Sequence, residues 1–295
     1  EAPFSIAVNP HYLFMSERHR NALAHLLYGV GVGGGFILLT GEVGTGKTTI
    51  TRCLLEQLPE NTDIALILSP ALNGIELLAT VCDELGITYN TTEQSIKILV
   101  DKLQQFLLAN HANGRNTVLL IDEAQHLKFN VLELIRLLTN LETNTKKLLQ
   151  IILVGQPELR TRLNKPELRQ LAQRITARYQ LKPLNLAETK AYIQHRLLVA
   201  GLPANQQLFP NHLIKPIYKI SRGIPRLINV LCDRMLLGTY GQHKTTVDKA
   251  TFKQAVIEVM GEEEDLHPQP WYFFKPALLF SVVITAALSI ALWWN

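Results

Sequence analysis

The sequence predicts an α/β protein, a parallel sheet wrapped by helices, followed by a small all-helical domain and one C-terminal transmembrane helix. Three observations carry this expectation. Over residues 1–182, short continuous apolar runs alternate with longer amphipathic stretches, the pattern of strands buried on both faces. From Ala187 to Met260 the spacing is helical throughout, with no further β-like run. Pro276–Trp294 then runs for 19 residues without a charge.

In chain order, Ser16 is a good N-cap, and Leu23, Leu26 and Leu27 recur at helical spacing over Glu17–Tyr28. The run Gly29–Gly35 (GVGVGGG) looks like a dinucleotide fingerprint. It precedes a strand instead of following one, so it reads as a flexible approach to the strand Phe36–Thr40. The remaining β-like runs are Ile64–Leu68, Val118–Ile121, Ile151–Val154 and, more weakly, Ala177–Leu181. Helical spacing covers Ile75–Leu85, Ile96–Ala109 and a stretch around Val131–Leu141. Four more helices, Ala187–Ala200, Leu213–Ser221, Pro225–Tyr240 and Lys249–Met260, make up the expected lid over 183–261. Glu262, Glu263, Glu264, Asp265, Pro268 and Pro270 mark 262–270 as a polar linker. The expected membrane helix occupies 271–295. At about 1.5 Å per residue its uncharged stretch approaches the ~30 Å of bilayer hydrocarbon, and Trp271, Tyr272, Trp293 and Trp294 stand at its ends as interfacial aromatics do. A buried core helix is the competing reading.

Composition excludes several classes. With 295 residues, 47% of them hydrophobic, the chain suits one large or two modest globular domains. A formal charge of +4 is what a solvated surface gives, and it points only weakly to nucleic acid or anionic lipid. Cys53, Cys82 and Cys232 are odd in number and widely spaced, so the expectation is buried thiols in a reducing cytosol, without disulfides or zinc. The opening EAPFSI shows no basic n-region or apolar h-region, and no signal peptide is expected there.

The chemistry sits in two motifs. Gly41–Thr48 (GEVGTGKT) matches G-x-x-x-x-G-K-[ST] between a predicted strand and a predicted helix, the context that motif needs. Gly41, Gly44 and Gly46 let backbone N–H groups approach phosphate oxygens, and the helix N-terminus adds partial positive charge. The candidate ATP contacts are thus Gly41, Glu42, Val43, Gly44, Thr45, Gly46, Lys47, Thr48 and Thr49. Lys47 would neutralise β- and γ-phosphate charge, and the Thr48 hydroxyl would ligate Mg²⁺. In Val118–Glu123 (VLLIDE), an apolar strand ends in Asp122, a candidate Mg²⁺ ligand through water. Glu123 beside it is placed to orient and deprotonate an attacking water. An N-cap role for Asp122 is the bland alternative. The nine histidines show no ligand spacing, so no metal beyond Mg²⁺ is expected.

A P-loop followed about 75 residues later by DE, with helices after the sheet, resembles the AAA+ superfamily. The fold class then becomes a P-loop AAA+ sheet domain with its lid, and the resemblance implies Mg²⁺-dependent ATP hydrolysis. It also implies further roles. Gln156 occupies the polar sensor position for the γ-phosphate or the lytic water. Arg174, in LAQRI, resembles the arginine finger that reaches a neighbouring subunit's nucleotide, which implies a homo-oligomer; Arg178 is the alternative. Arg226, in GIPRLIN, resembles the second sensor, through which the lid feels the γ-phosphate and takes part in both binding and catalysis. Residues ahead of the P-loop strand frame the adenine in such proteins. Here Phe4, Pro10, His11, Tyr12 and Leu13 are candidates, about half of them core only, with Tyr12 the chosen contact.

The blocks PFSIAVNPHYLF, ERHRNALAHLLYGV, GFILLTGEVGTGKTT, LIDEAQHL, IILVGQPEL and SRGIPRLINVLCDRMLL are together similar to the general secretion pathway protein A family (ExeA/GspA), over residues 1–260. Members are bacterial inner-membrane ATPases with this domain in the cytoplasm and a periplasmic part that binds peptidoglycan. With protein B (ExeB/GspB) they help install the secretin of type II secretion. The resemblance implies those partners here, with the peptidoglycan-binding region outside the chain, which stops at Asn295. A pilus-biogenesis ATPase of the same branch is one alternative and a nucleotide-gated scaffold another. A DNA-binding AAA+ regulator, using Lys146, Lys147 and Arg160 on phosphates, is the rival from another class. A membrane tether restricts access to DNA, so nucleic acid is not an expected partner.

Overall fold

The continuous apolar runs become the strands of one parallel sheet: β1 (Gly35–Gly41), β2 (Thr62–Ile67), β3 (Asn116–Ile121), β4 (Gln150–Gly155) and β5 (Ile175–Leu181), in the order β2-β3-β4-β1-β5. The sequence shows no alternation in the central strands because both faces are covered. Phe36 and Leu38 point into one apolar cluster, Ile37 and Leu39 into the other. On the first face lie α3 (Gly74–Glu84), α4 (Ile96–Ala112), α5 (Phe129–Leu138), α6 (Pro157–Leu163) and α7 (Arg169–Gln173); on the second lie α1 (Glu17–Val32) and α2 (Lys47–Gln57). Edge strand β5 has one face toward α1 and the other in solvent, which is why its sequence is the least apolar.

The chain then continues as α8 (Leu186–Val199), α9 (Asn211–Ser221), α10 (Pro225–Gly241) and α11 (Lys249–Met260) around a third cluster. Phe4 inserts into that cluster, its ring 5.8 Å edge-on from Phe209.

The computed structural model describes residues 2–7, 9–32, 35–68, 70–90, 92, 95–203 and 205–261. The described residues up to Val259 form one compact unit. The expected linker 262–270 and membrane helix 271–295 lie outside the described residues, among which no helix is long and apolar enough to cross a membrane.

Two readings of the sequence are corrected. The glycine run does not begin as a flexible approach, since α1 continues through Gly29 and Gly31 to Val32. Helix propensity argues against this, but helix and sheet pack so closely there that a Cβ on Gly29 would meet Ile37 Cδ1 at 2.3 Å. Helices α6 and α7 are not expected from the sequence, because 7 and 5 residues are too few to show a period.

The register fixes where a site can form. Thr40 pairs with Gly155 and Ile121 with Leu153, so the loops after β1, β3 and β4 open at the same end of the sheet. Ligands of open parallel sheets bind at such strand ends. Ile152, fully buried at the centre of β4, holds this register. Ile152→Ala is expected to cost roughly 2–5 kcal/mol, read as a fall in Tm on the order of 10 °C.

Candidate active site

The loop between β1 and α2 turns back over the strand end. Gly44 and Gly46 take φ of +79° and +102°, which glycine alone adopts freely. Both are also closely approached: a Cβ on Gly44 would stand 2.6 Å from Arg226 Cβ, and one on Gly46 2.8 Å from His19 Nε2. The Arg226 backbone N–H donates to the Gly44 carbonyl at 3.2 Å, which docks the start of α10 directly on the loop.

Lys47 opens α2 and is buried. Its ammonium donates to the Gly41 and Glu42 carbonyls at 2.9 and 3.2 Å. Burial lowers its pKa below that of an ordinary lysine, against the pull of Glu123, Asp122, Glu42 and Glu158. Thr48, the next residue, donates from Oγ1 to Asp122 Oδ2 at 3.3 Å. The two sequence motifs, 74 residues apart by these numbers, meet at that contact.

Asp122 is buried at the end of β3, where its other carboxylate oxygen accepts the Glu123 N–H at 2.8 Å. Burial and the charge of Glu123 push its pKa up, against that N–H, Thr48 and Lys47. Glu123 follows with φ +50°, a left-handed conformation costly for a residue with a Cβ. Its Oε2 accepts from Gln125 Nε2, and from Gln156 Nε2 at 3.4 Å. Burial pushes the Glu123 pKa upward, but the two amides and Lys47 outweigh it, and the net shift is below the ordinary glutamate value. Gln125 also accepts the Gln156 backbone N–H at 3.0 Å, so one glutamine ties the ends of β3 and β4 together.

A cavity of about 290 Å³ opens over this arrangement. Val43, Gly44, Gly46, Lys47, Thr48, Thr49, Glu123 and Arg226 line it, whereas Gly41, Glu42, Thr45 and Asp122 form the layer behind. Its far wall is the N-terminal strap and the helical segment. Tyr12, Leu13 and Phe14 line it, with the Arg196 guanidinium 4.9 Å over the Tyr12 ring. Phe4 is a core residue of the helical cluster, as about half of these candidates are expected to be, and His11 meets Tyr12 edge-on at 6.0 Å.

Arg174 lies elsewhere. Its carbonyl accepts the Phe36 N–H at the start of β1, the opposite end of the sheet from the loop. Its guanidinium donates to the Arg136 carbonyl, Thr139 Oγ1 and Asn140 Oδ1 at 3.0, 2.5 and 2.6 Å. Arg178 is exposed on β5 and donates to the Ala172 carbonyl at 2.7 Å.

Gln125, His19 and Arg196 escape sequence reasoning. Gln125 sits in the visible string DEAQ, next to the carboxylates it holds. The other two are tens of residues or more from any motif and become neighbours only through packing.

Known proteins resemble this chain in sequence and in fold. A family model described as an AAA domain matches residues 31–163. General secretion pathway protein A of Aeromonas hydrophila is 50% identical over 296 aligned residues, covering 100% of this chain and 52% of that protein. The chain is a homologue of general secretion pathway protein A. It spans about half the length of that relative and carries an AAA domain. Among solved structures, Cdc6p from Pyrobaculum aerophilum is 18% identical, with a TM-score of 0.68 over 87% of this chain and 70% of that one. Drosophila ORC, solved bound to DNA, is 19% identical, with a TM-score of 0.64 over 88% and 64%. Identities that low bear on the fold alone, which is the parallel-sheet P-loop fold of AAA proteins.

Proposed function

We propose that this homologue of general secretion pathway protein A is an Mg²⁺-dependent ATPase that works as an oligomer in a secretion pathway. The observation that carries the reading is the contact of Thr48 Oγ1 with Asp122 Oδ2, with Lys47 and Glu123 lining one cavity beside it. A hydroxyl next to a buried carboxylate fits a hard divalent cation that keeps waters and phosphate oxygens as its other ligands. Thr48 and Asp122 would hold Mg²⁺, which supplies charge neutralisation at the β- and γ-phosphates. The chain's own groups do the rest. The loop amides and the start of α2 bind phosphate, Lys47 neutralises it, and Tyr12 with Leu13 encloses the base. Glu123, held by Gln125 and Gln156, takes the proton of the attacking water. Arg226 brings the helical lid, residues 183–261, to the γ-phosphate side.

Secretion enters through the relative's name. From the similarity to general secretion pathway protein A we infer a membrane-bound arrangement as well. Residues 271–295 tether the chain to the bacterial inner membrane with the ATPase in the cytoplasm. Protein B and the secretin are its partners, and peptidoglycan is bound by a region outside this chain. Arg174 would act on a neighbouring subunit's nucleotide, leaving its own helix-end partners or being met there by that neighbour.

Titration of the chain with a fluorescent ATP analogue, with and without Mg²⁺, together with phosphate release and size measurement, tests the core of this. Saturable Mg²⁺-dependent binding and turnover are expected. Arg174→Ala should lower kcat at least tenfold at unchanged ATP affinity. A chain that stays monomeric under every nucleotide condition leaves Arg174 no neighbour to act on.

A further inference from the structure

The turn of the phosphate loop rests on an imidazole that neither motif contains. His19, in the first turn of α1, is 4% exposed. Its Nε2 lies 3.1 Å from the Thr45 carbonyl oxygen and its Nδ1 2.7 Å from Ser16 Oγ. A carbonyl oxygen only accepts, so Nε2 carries the hydrogen, and Nδ1 accepts the hydrogen of the Ser16 hydroxyl. Ser16, itself buried, also accepts the His19 backbone N–H at 3.4 Å. The ring is thereby held in one tautomer and one orientation. Burial lowers its pKa, against the Thr45 hydrogen bond and the charge of Glu188, which favours the neutral form the geometry needs.

The ring meets the loop at the residues that lead into α2. Thr45 and Gly46 immediately precede Lys47, and Gly46 gives α2 no side-chain cap. Close contact with the ring leaves no room for a Cβ on Gly46, so the imidazole stands in the place a side chain would take. Helix α1 is in turn fixed on α2 through Leu23, Leu26, Ile50 and Leu54, all buried in one cluster. The anchor is thus part of the core that joins the two helices.

We propose that His19 is a positioning residue for the phosphate-binding loop: its Nε2–H fixes the Thr45 carbonyl, its ring backs Gly46, and together they aim the loop amides at a triphosphate. This rests on the nucleotide reading above. A positioning role differs from a merely structural one in which ligands feel its loss. Affinity should fall for ligands that carry phosphate and stay for those that do not.

The test uses the full chain in detergent solution, with Kd measured for ATP, ADP and adenosine alongside Tm. His19→Phe keeps the ring's bulk and removes the donor, and should weaken ATP and ADP binding about tenfold with adenosine unchanged. His19→Asn, whose amide stops short of Thr45, should do the same and serves if the Phe variant folds poorly. His19→Gln, whose longer amide reaches about where Nε2 stands, should recover affinity to within about threefold. Phe and Asn variants that bind ATP like the wild type overturn the proposal alone, as does a loss shared equally by adenosine or one that Gln does not restore. A wild-type chain that binds neither ATP nor ADP removes the nucleotide reading and this proposal with it.

Discussion

Glu123→Gln is expected to stop hydrolysis while leaving ATP bound. The substitution preserves shape: the side chain would still reach Gln125 and Gln156, whose amides now hold the Glu123 carboxylate. What it removes is the ability to take a proton. A positioned general base contributes about 10²–10⁴-fold, so kcat should drop at least about 100-fold, with Kd for ATP within about threefold of the wild type. Single-turnover phosphate release and direct binding, run side by side, separate the two quantities. A variant that hydrolyses at the wild-type rate would remove Glu123 from the chemistry, and one that fails to bind would assign it to ground-state binding. The Glu123 carboxylate, held below the ordinary glutamate value by the two amides and Lys47, is ionised at neutral pH and therefore in the form that can accept a proton.

The residues behind this expectation are largely legible in the amino-acid sequence, and the reason is local. A phosphate loop needs glycine at particular offsets, and a strand buried on both faces must be apolar until it reaches the polar edge where Asp122 stands. Those are statements about neighbours in sequence. Hence apolar runs locate β1, β3 and β4 to within two residues, and Gly46 and Pro225 mark the starts of α2 and α10 as closely. Misreadings arise where packing decides. Gly29 and Gly31 are poor helix formers; at Gly29 the nearness of Ile37 leaves no room for a side chain, whereas Gly31 faces open space. Which of the candidates ahead of the loop are core is open in the sequence for the same reason, and packing decides it for Phe4, whose ring meets Phe209 in the helical cluster. His19 and Arg196 carry no signal, because a polar residue among other polar residues of a helix declares nothing until its partner is known. Arg196 donates to the Pro3 and Ser5 carbonyls, at 2.5 and 3.1 Å, contacts between residues nearly 200 positions apart.

Lys47→Ala should affect binding where Glu123→Gln affects chemistry. The Lys47 ammonium is buried, fixed by two carbonyls and surrounded by Glu123, Asp122 and Glu42, an arrangement that keeps one positive charge at the turn of the loop. A triphosphate brought into the cavity places several negative charges near those carboxylates, and Lys47 is the lysine ammonium set between them, beside the backbone amides and the proposed Mg²⁺. Charge-assisted hydrogen bonds contribute about 1.5–3 kcal/mol each and more where water is excluded, so Kd for ATP should rise at least about 100-fold. Arginine should not rescue the loss: the pocket is bounded by the Gly41 and Glu42 carbonyls, and a planar fork does not fit where a compact ammonium does. The unliganded variant should remain folded, because removing a cation whose burial is itself unfavourable costs little, and an apo Tm within a few degrees of the wild type would mark the affinity loss as a property of the site. If Lys47→Ala instead bound ATP as tightly as the wild type, the cavity over the loop would not be where the triphosphate goes, and the contact between Thr48 and Asp122 would be a fold contact only.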